Sequence, residues 1–342
     1  MTTHKRICQR SFTLVEMLVV MAIIAILAAI LLPAIRAAVS AAKNNRIAQE
    51  INSLHQAVEA YKAKFGDYPP DFSSVQWRGA WGTQWNSSNG TGNELSDQNN
   101  IVVRHLRKAF PRHTENLPAF FVDSSGNTRV PDQAEALVFW LNQLKNDPRR
   151  PLSSSVEVIS HFSFDESRIQ TARVVNLQTP FYGANMTMQW FRYAPKDGKN
   201  MPYVYFDSRT YGWQVVRTGS PPTRYSSSYA VIDPATGQNL IDSSAANTNP
   251  NKWVYLCPYN DAASLTGLTG CNATTFQIIS AGLDGDYGNT LVGNTPSPTQ
   301  ASSPSVPTYK SFPTNPSLTY VLGDMDNITN FSEGRILEDH MP

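Results

Sequence analysis

The sequence predicts an α+β fold: a long N-terminal α-helix, with a membrane half and an amphipathic half, packed on an antiparallel β-sheet head with large loop insertions. Three observations carry this. Residues 12–35, FTLVEMLVVMAIIAILAAILLPAI, hold a single charge in 24 positions. Beyond them Ile47, Ile51, Leu54, Val58, Tyr61 and Phe65 recur at spacings of 4, 3, 4, 3 and 4, which is one apolar face at helical period. In the second half the pattern turns to short β-rich runs.

The apolar run comes first. As a helix, its 24 residues rise about 36 Å and cross a hydrocarbon core of about 30 Å. His4, Lys5, Arg6 and Arg10 precede it with no acid among them, so residues 1–11 stay cytoplasmic and the rest of the chain goes outward. A cleaved secretory signal fits poorly, because its apolar region spans only about 7 to 15 residues. A plain signal anchor fits the length but gives no reason for Glu16, since a carboxylate in a membrane helix costs about 2.5 to 3.5 kcal/mol.

Ser11-Phe12-Thr13-Leu14-Val15-Glu16 resembles the prepilin processing motif of type IV pilins and type II secretion pseudopilins. The resemblance implies that a prepilin peptidase cuts between Ser11 and Phe12 and that the Phe12 amine is then N-methylated. It further implies that Glu16, fifth in the mature chain, pairs with the Phe12 amine of a neighbouring subunit. Two charges too costly to bury singly become tolerable as a pair, which makes the pair a register device for subunit addition. Ser11 stands where the family nearly always has Gly, a position restricted to small residues. Pro33 falls where the family also tends to carry a Pro, which removes one helical hydrogen bond and loosens the helix.

The amphipathic half, residues 36–66, stops at Gly66-Asp67-Tyr68-Pro69-Pro70, a Gly just past the last apolar residue followed by prolines. The tract from Tyr61 to Pro69 is similar to the end of the long helix in major pseudopilins. An ordinary amphipathic helix packed on a sheet reads the same way. The head then spans residues 67–342. Its first loop, residues 71–100, carries Trp77, Trp81 and Trp85 at intervals of four; packing within the head is favoured over a docking or carbohydrate-binding surface. A helix is predicted over 133–146, with Asp132 as cap and Glu135 three residues on. Strands are predicted over 156–164, 173–177, 186–193, 203–206, 252–256, 275–280 and 320–322. A Pro-rich insert occupies 289–317 and reads as a projecting or mobile loop.

Near the C-terminus, residues 279–288 place Asp284 and Asp286 among three glycines, and residues 323–331 add Asp324 and Asp326. Hard oxygen ligands on Gly-permitted turns suit Ca²⁺, although Asp and Gly are also ordinary turn residues. The two segments resemble the calcium loop of major pseudopilins. That resemblance implies Asp284 and Asp326 as ligands, with Asp286 and Asp324 behind them. Cys257 and Cys271 remain once the leader with Cys8 is removed; the pair suits a disulfide in an oxidising compartment, or two unpaired core residues.

Composition excludes several classes. Lys plus Arg number 28 against 27 Asp plus Glu with no long run of either sign, so no nucleic-acid or anionic partner is indicated. No nucleophile elbow, metalloprotease, P-loop or dinucleotide motif is present, and His55, His105, His113, His161 and His340 are scattered singly. The expectation is a structural protein and not an enzyme, a filament subunit of a type II secretion-like or type IV pilus-like machine. Its implied partners are copies of itself, other pilin-like subunits, the prepilin peptidase, an inner-membrane assembly platform and membrane lipid. It starts as a single-pass inner-membrane protein with an extracytoplasmic head and ends in a periplasmic or cell-surface filament. A membrane-anchored binding module outside any filament is the alternative.

Overall fold

The computed structural model describes residues 14–72, 101–121, 130–178, 185–211, 230–232, 254–256, 259–261, 271–287, 310–312 and 325–340. The chain divides into two units, residues 1–43 and 44–342. Helix α1 (Leu14–Phe65) runs through 52 residues and carries Pro33 in its interior. From residue 14 to 35 it is apolar on every face apart from Glu16, and every residue of that stretch is exposed. Leu14, Met21, Ile24 and Ile30 are all more than half exposed. A helix of this kind is stable only in lipid or among other helices. It is long and apolar enough to cross a membrane.

In the second unit α1 has a buried face, and it is the predicted one: Ile47, Ile51, Leu54, Val58, Tyr61 and Phe65 all enter the core. The helix ends as expected. Gly66 sits at φ +78°, where a side chain would be strained, and its amide donates to the Lys62 carbonyl at 2.7 Å. The chain then turns through Pro69 and Pro70, whose carbonyls accept from the Tyr205 hydroxyl and the Trp140 indole, both at 2.7 Å.

Three short helices follow, α2 (Ile101–Ala109), α3 (Leu117–Phe120) and α4 (Ala136–Asn142). Strands β1 (Ile169–Gln178) and β2 (Asn185–Tyr193) form an antiparallel pair with a bulge between Thr171 and Arg173. A three-stranded antiparallel sheet is ordered β3 (Val204–Asp207), β7 (Phe276–Ser280), β9 (Ile328–Thr329). Two small pairs complete the described strands: β4 (Ala230–Ile232) with β5 (Val254–Leu256), antiparallel, and β6 (Tyr259–Asp261) with β8 (Lys310–Phe312), parallel. The result is an α+β architecture consistent with a pilin fold. Leu54, Val58 and Tyr61 of α1 share one core with Val102 and Leu106 of α2, Phe139 and Trp140 of α4, and Tyr205 and Phe276 of the sheet.

The structure departs from expectation in several places. The helix predicted over 133–146 shortens to α4, because Lys145 leaves it to bridge Val158 and the Leu144 carbonyl accepts from Ile159. That single bridge is all the strand character found where a strand was expected over 156–164. The reciprocal pair expected at the start of that helix does form, Asp132 Oδ1 accepting from the Glu135 amide at 2.8 Å and Glu135 Oε2 from the Asp132 amide at 2.9 Å, but in the turn before α4, whose N-cap is Glu135 and makes no side-chain capping bond. Helix α2 was not predicted; its opening Ile101-Val102-Val103 is β-branched and reads as strand. Trp77, Trp81, Trp85, residues 320–322 and the Pro-rich insert other than 310–312 lie outside the described residues.

Candidate assembly site and acidic loop

Glu16 lies in the first turn of α1, where the partial positive charge of the helix end favours a carboxylate. Around it Leu14, Val15, Met17, Val19 and Val20 are exposed, so the carboxylate interrupts an otherwise apolar surface. Pro33 lies within the same helix, one turn before its first following cation, Arg36. Ser11 and Phe12 lie outside the described residues.

The two acidic segments, 42 positions apart in sequence, come together. Asp326 Oδ2 accepts from the amides of Leu283 and Asp284, at 2.7 and 2.9 Å, and Asp284 Oδ1 accepts from the Asp286 amide at 2.7 Å. The approach depends on Gly282, at φ +61°, where an added Cβ would lie 2.2 Å from the Asp326 carbonyl oxygen. Burial, and then the neighbouring Asp326 and Asp286 charges, push the Asp284 carboxyl up to about 6 against the lowering effect of the Asp286 amide. Asp326 Oδ1 is buried without a hydrogen-bond partner. This geometry fits a hard cation in part: two carboxylates converge and one buried oxygen is unengaged. Among the described residues no third Asp, Glu, His or Cys joins them. Asp324 lies outside the described residues, as does Cys257; Cys271 is partly buried and its amide donates to the Tyr259 carbonyl at 2.9 Å.

Three charged groups in the head escaped the sequence reading. Arg209 donates to Asp207 at 2.7 Å, to Asp67 at 2.9 Å and to the Tyr68 carbonyl at 2.6 Å, clamping the exit of α1 to the sheet. Burial dominates at Asp207 and pushes its carboxyl up to about 7 although Arg209 opposes the shift. Fully buried Arg192 donates to Asp132 at 2.6 Å. Glu50 of α1 receives Arg168, Tyr193 and Tyr203. The only signal for the last was a charge at position 50 beside the apolar face, between Ile47 and Ile51.

A helix long and apolar enough to cross a membrane runs on into an α+β head, an arrangement that points to membrane anchoring. Residues 6–32 match the family model of the prokaryotic N-terminal methylation motif. With the long apolar helix, the match is consistent with the pilin-like family and supports a type IV pilin-like or pseudopilin precursor. No curated protein and no solved structure matches the chain.

Proposed function

We propose that the chain is a structural subunit, not an enzyme, of a type II secretion-like pseudopilus or type IV pilus-like filament. The single observation that carries this reading is Glu16, a carboxylate in the first turn of an uncovered apolar helix inside the matched methylation motif. A prepilin peptidase cuts at Ser11, the Phe12 amine is methylated, and Glu16 of an incoming subunit pairs with that amine. The pairing selects the correct axial register, since either charge alone is costly among apolar side chains. The assembly platform of the inner membrane adds the subunit, and the head faces the extracytoplasmic side.

The acidic loop belongs to the same reading. Asp284 and Asp326, whose segments the fold brings together, would hold Ca²⁺, with Asp286 and Asp324 behind them. Two segments far apart in sequence are thereby fixed against β7 and β9. Ca²⁺ would supply there the positive charge that the converging carboxylates lack.

Mass spectrometry of the N-terminal peptide from membrane and filament fractions tests the processing step. A chain starting at N-methylated Phe12 is expected, and Ser11→Gly should raise the processed fraction. A chain still starting at Met1 in every fraction, in a host with an active peptidase, overturns the reading in favour of a membrane-anchored binding module.

A further inference from the structure

We propose, resting on the filament reading above, that Arg104, Arg107, Arg112 and Arg149 of one head receive Glu333, Glu338 and Asp339 of the next copy of this chain. Helix α2 buries Ile101, Val102, Val103 and Leu106 and turns its charges outward. Arg104, Arg107 and Lys108 are exposed at spacings of three and four, which places them on one helix face. Arg112 follows the helix. The Thr114 amide donates to the Arg149 carbonyl at 2.8 Å, which brings Arg149 alongside.

Three acids at this end are already engaged, while Glu157, whose carbonyl accepts from the Asn146 amide at 2.8 Å, is exposed. Asp67 is held by Arg209 at 2.9 Å with Lys108 at 3.9 Å, Asp147 by Arg150 at 3.5 Å, and Glu115 by the amides of Leu152 and Ser153. Arg104, Arg107, Arg112 and Arg149 make no ion pair among the described residues. A solvated face is the ordinary explanation for surface cations. Four arginines without an ion pair among the described residues, on a chain balanced at 28 cations to 27 anions, call for more. Guanidinium forks are also matched in shape to carboxylates. Overall neutrality therefore conceals a local segregation of charge, which the composition could not disclose.

The opposite charge collects at the other end of the head. Glu333, Glu338 and Asp339 are exposed and form no ion pair among the described residues, with Arg335 the one cation of that segment. The Glu338 amide donates to the Met325 carbonyl at 2.8 Å, so the segment adjoins the acidic loop of Asp284, Asp286 and Asp326. Helix α1 measures the separation. Gly334 packs on Ala48, where an added Cβ would lie 3.3 Å from the Ala48 Cβ, while Lys108 Nζ donates to the Gly66 carbonyl at 2.7 Å. Ala48 and Gly66 are about 27 Å apart along the helix axis at 1.5 Å per residue. That is several Debye lengths at physiological salt, so the two ends do not neutralise each other within one molecule. They can do so between two. Two different surfaces meeting head to tail make a heterologous contact, and such a contact propagates into an open helix when its rotation does not close.

Charge swapping in the full-length chain tests the pairing. Arg104→Glu with Arg107→Glu, and separately Glu338→Lys with Asp339→Lys, should each lower filament yield about tenfold or more at unchanged membrane level. All four changes together should restore yield to within about twofold, because the attraction returns with its sign reversed. Arg104→Gln with Arg107→Gln keeps the test open if reversal disturbs the fold, with an intermediate loss expected. Unchanged yield in both single-sided reversals overturns the inference while wild-type filaments leave the filament reading intact. Loss without restoration also overturns it and points to a different anionic partner for the arginines. Absence of wild-type filaments, in a host that processes the chain, overturns both.

Discussion

Glu50 of α1 and Arg168, at the foot of β1, face each other in a two-point ion pair with N···O distances of 2.8 and 2.5 Å. The Tyr193 and Tyr203 hydroxyls donate to the same carboxylate at 2.8 and 2.7 Å. The two charged side chains are only 15% and 19% exposed, so the pair lies largely out of water. Removing one partner strands the other in a desolvated site. Glu50→Ala is expected to cost about 2 to 4 kcal/mol, at or just below the range for a fully buried pair. Arg168→Lys should cost less but not nothing, since an ammonium cannot span both oxygens. Thermal unfolding of the full chain in detergent, followed by near-ultraviolet dichroism, measures both. Wild-type stability in Glu50→Ala would sink the assignment.

Glu16 should be dispensable for insertion and indispensable for assembly. Replacing it by Ala removes a membrane cost of about 2.5 to 3.5 kcal/mol, so the membrane level should hold or rise. Filament incorporation should collapse, because nothing then pairs with the Phe12 amine. Glu16→Gln separates charge from shape and should assemble as poorly as Ala. Sheared-filament yield against membrane level is the measurement; equal incorporation of wild type and Glu16→Gln refutes a charge-based register.

Two different signals sufficed for α1: the length of an unbroken apolar run in its first half, and a helical period held over about five turns in its second. Every predicted core position from Ile47 to Phe65 is buried, and Gly66 caps the helix where expected. The acidic loop was legible from local turn chemistry, although the meeting of Asp284 with Asp326 depends on the pairing of β7 with β9. Long-range partners left no local trace. Nothing near Glu50 in sequence announces Arg168, and nothing near Arg192 announces Asp132. Helix α2 hid because its β-branched opening reads as strand, while burial against Tyr61 and Trp140 is what holds it helical.

His105 supplies a pH dependence. It is buried against Tyr61, whose hydroxyl lies 2.8 Å from Nε2, and packs edge-on to Trp140. Burial chiefly, then the Arg209 and Lys108 charges, hold its imidazole down at about 3 against an ordinary 6.5. Between those values the unfolded chain binds a proton that the folded chain refuses, so this group removes stability as pH falls from about 6.5 toward 3. Asp207, raised to about 7, acts in the opposite direction between its ordinary 3.8 and 7, so the readout is a difference between chains. His105→Phe keeps a ring and loses the titration. The Tm of wild type relative to that variant should fall steadily as pH is lowered from 7 to 4; parallel Tm curves would remove His105 from the account.

Ca²⁺ should act through the approach of Asp326 to the turn at Gly282. With free ion at a hundredfold its Kd, binding to the folded chain alone adds about 2.7 kcal/mol and raises Tm. Asp326→Asn should lose that rise, because the neutral amide offers a single carbonyl oxygen where the carboxylate has two charged ones. Gly282→Ala should lose it for a different reason: its Cβ would lie 2.2 Å from the Asp326 carbonyl oxygen and 2.5 Å from Oδ2, and the turn would also be held at a strained φ of +61°. Without added ion, Asp326→Asn should change Tm less than Gly282→Ala does, since only the glycine change forces the backbone apart. The Asp284 carboxyl, raised to about 6, adds a pH signature: below that pH its proton competes with Ca²⁺, and the metal-induced rise in Tm should shrink. Equal Tm in Ca²⁺ and in chelator at pH 7.5 would leave the loop as a turn held by Asp326 accepting two amides, and the two variants would then differ only in fold stability.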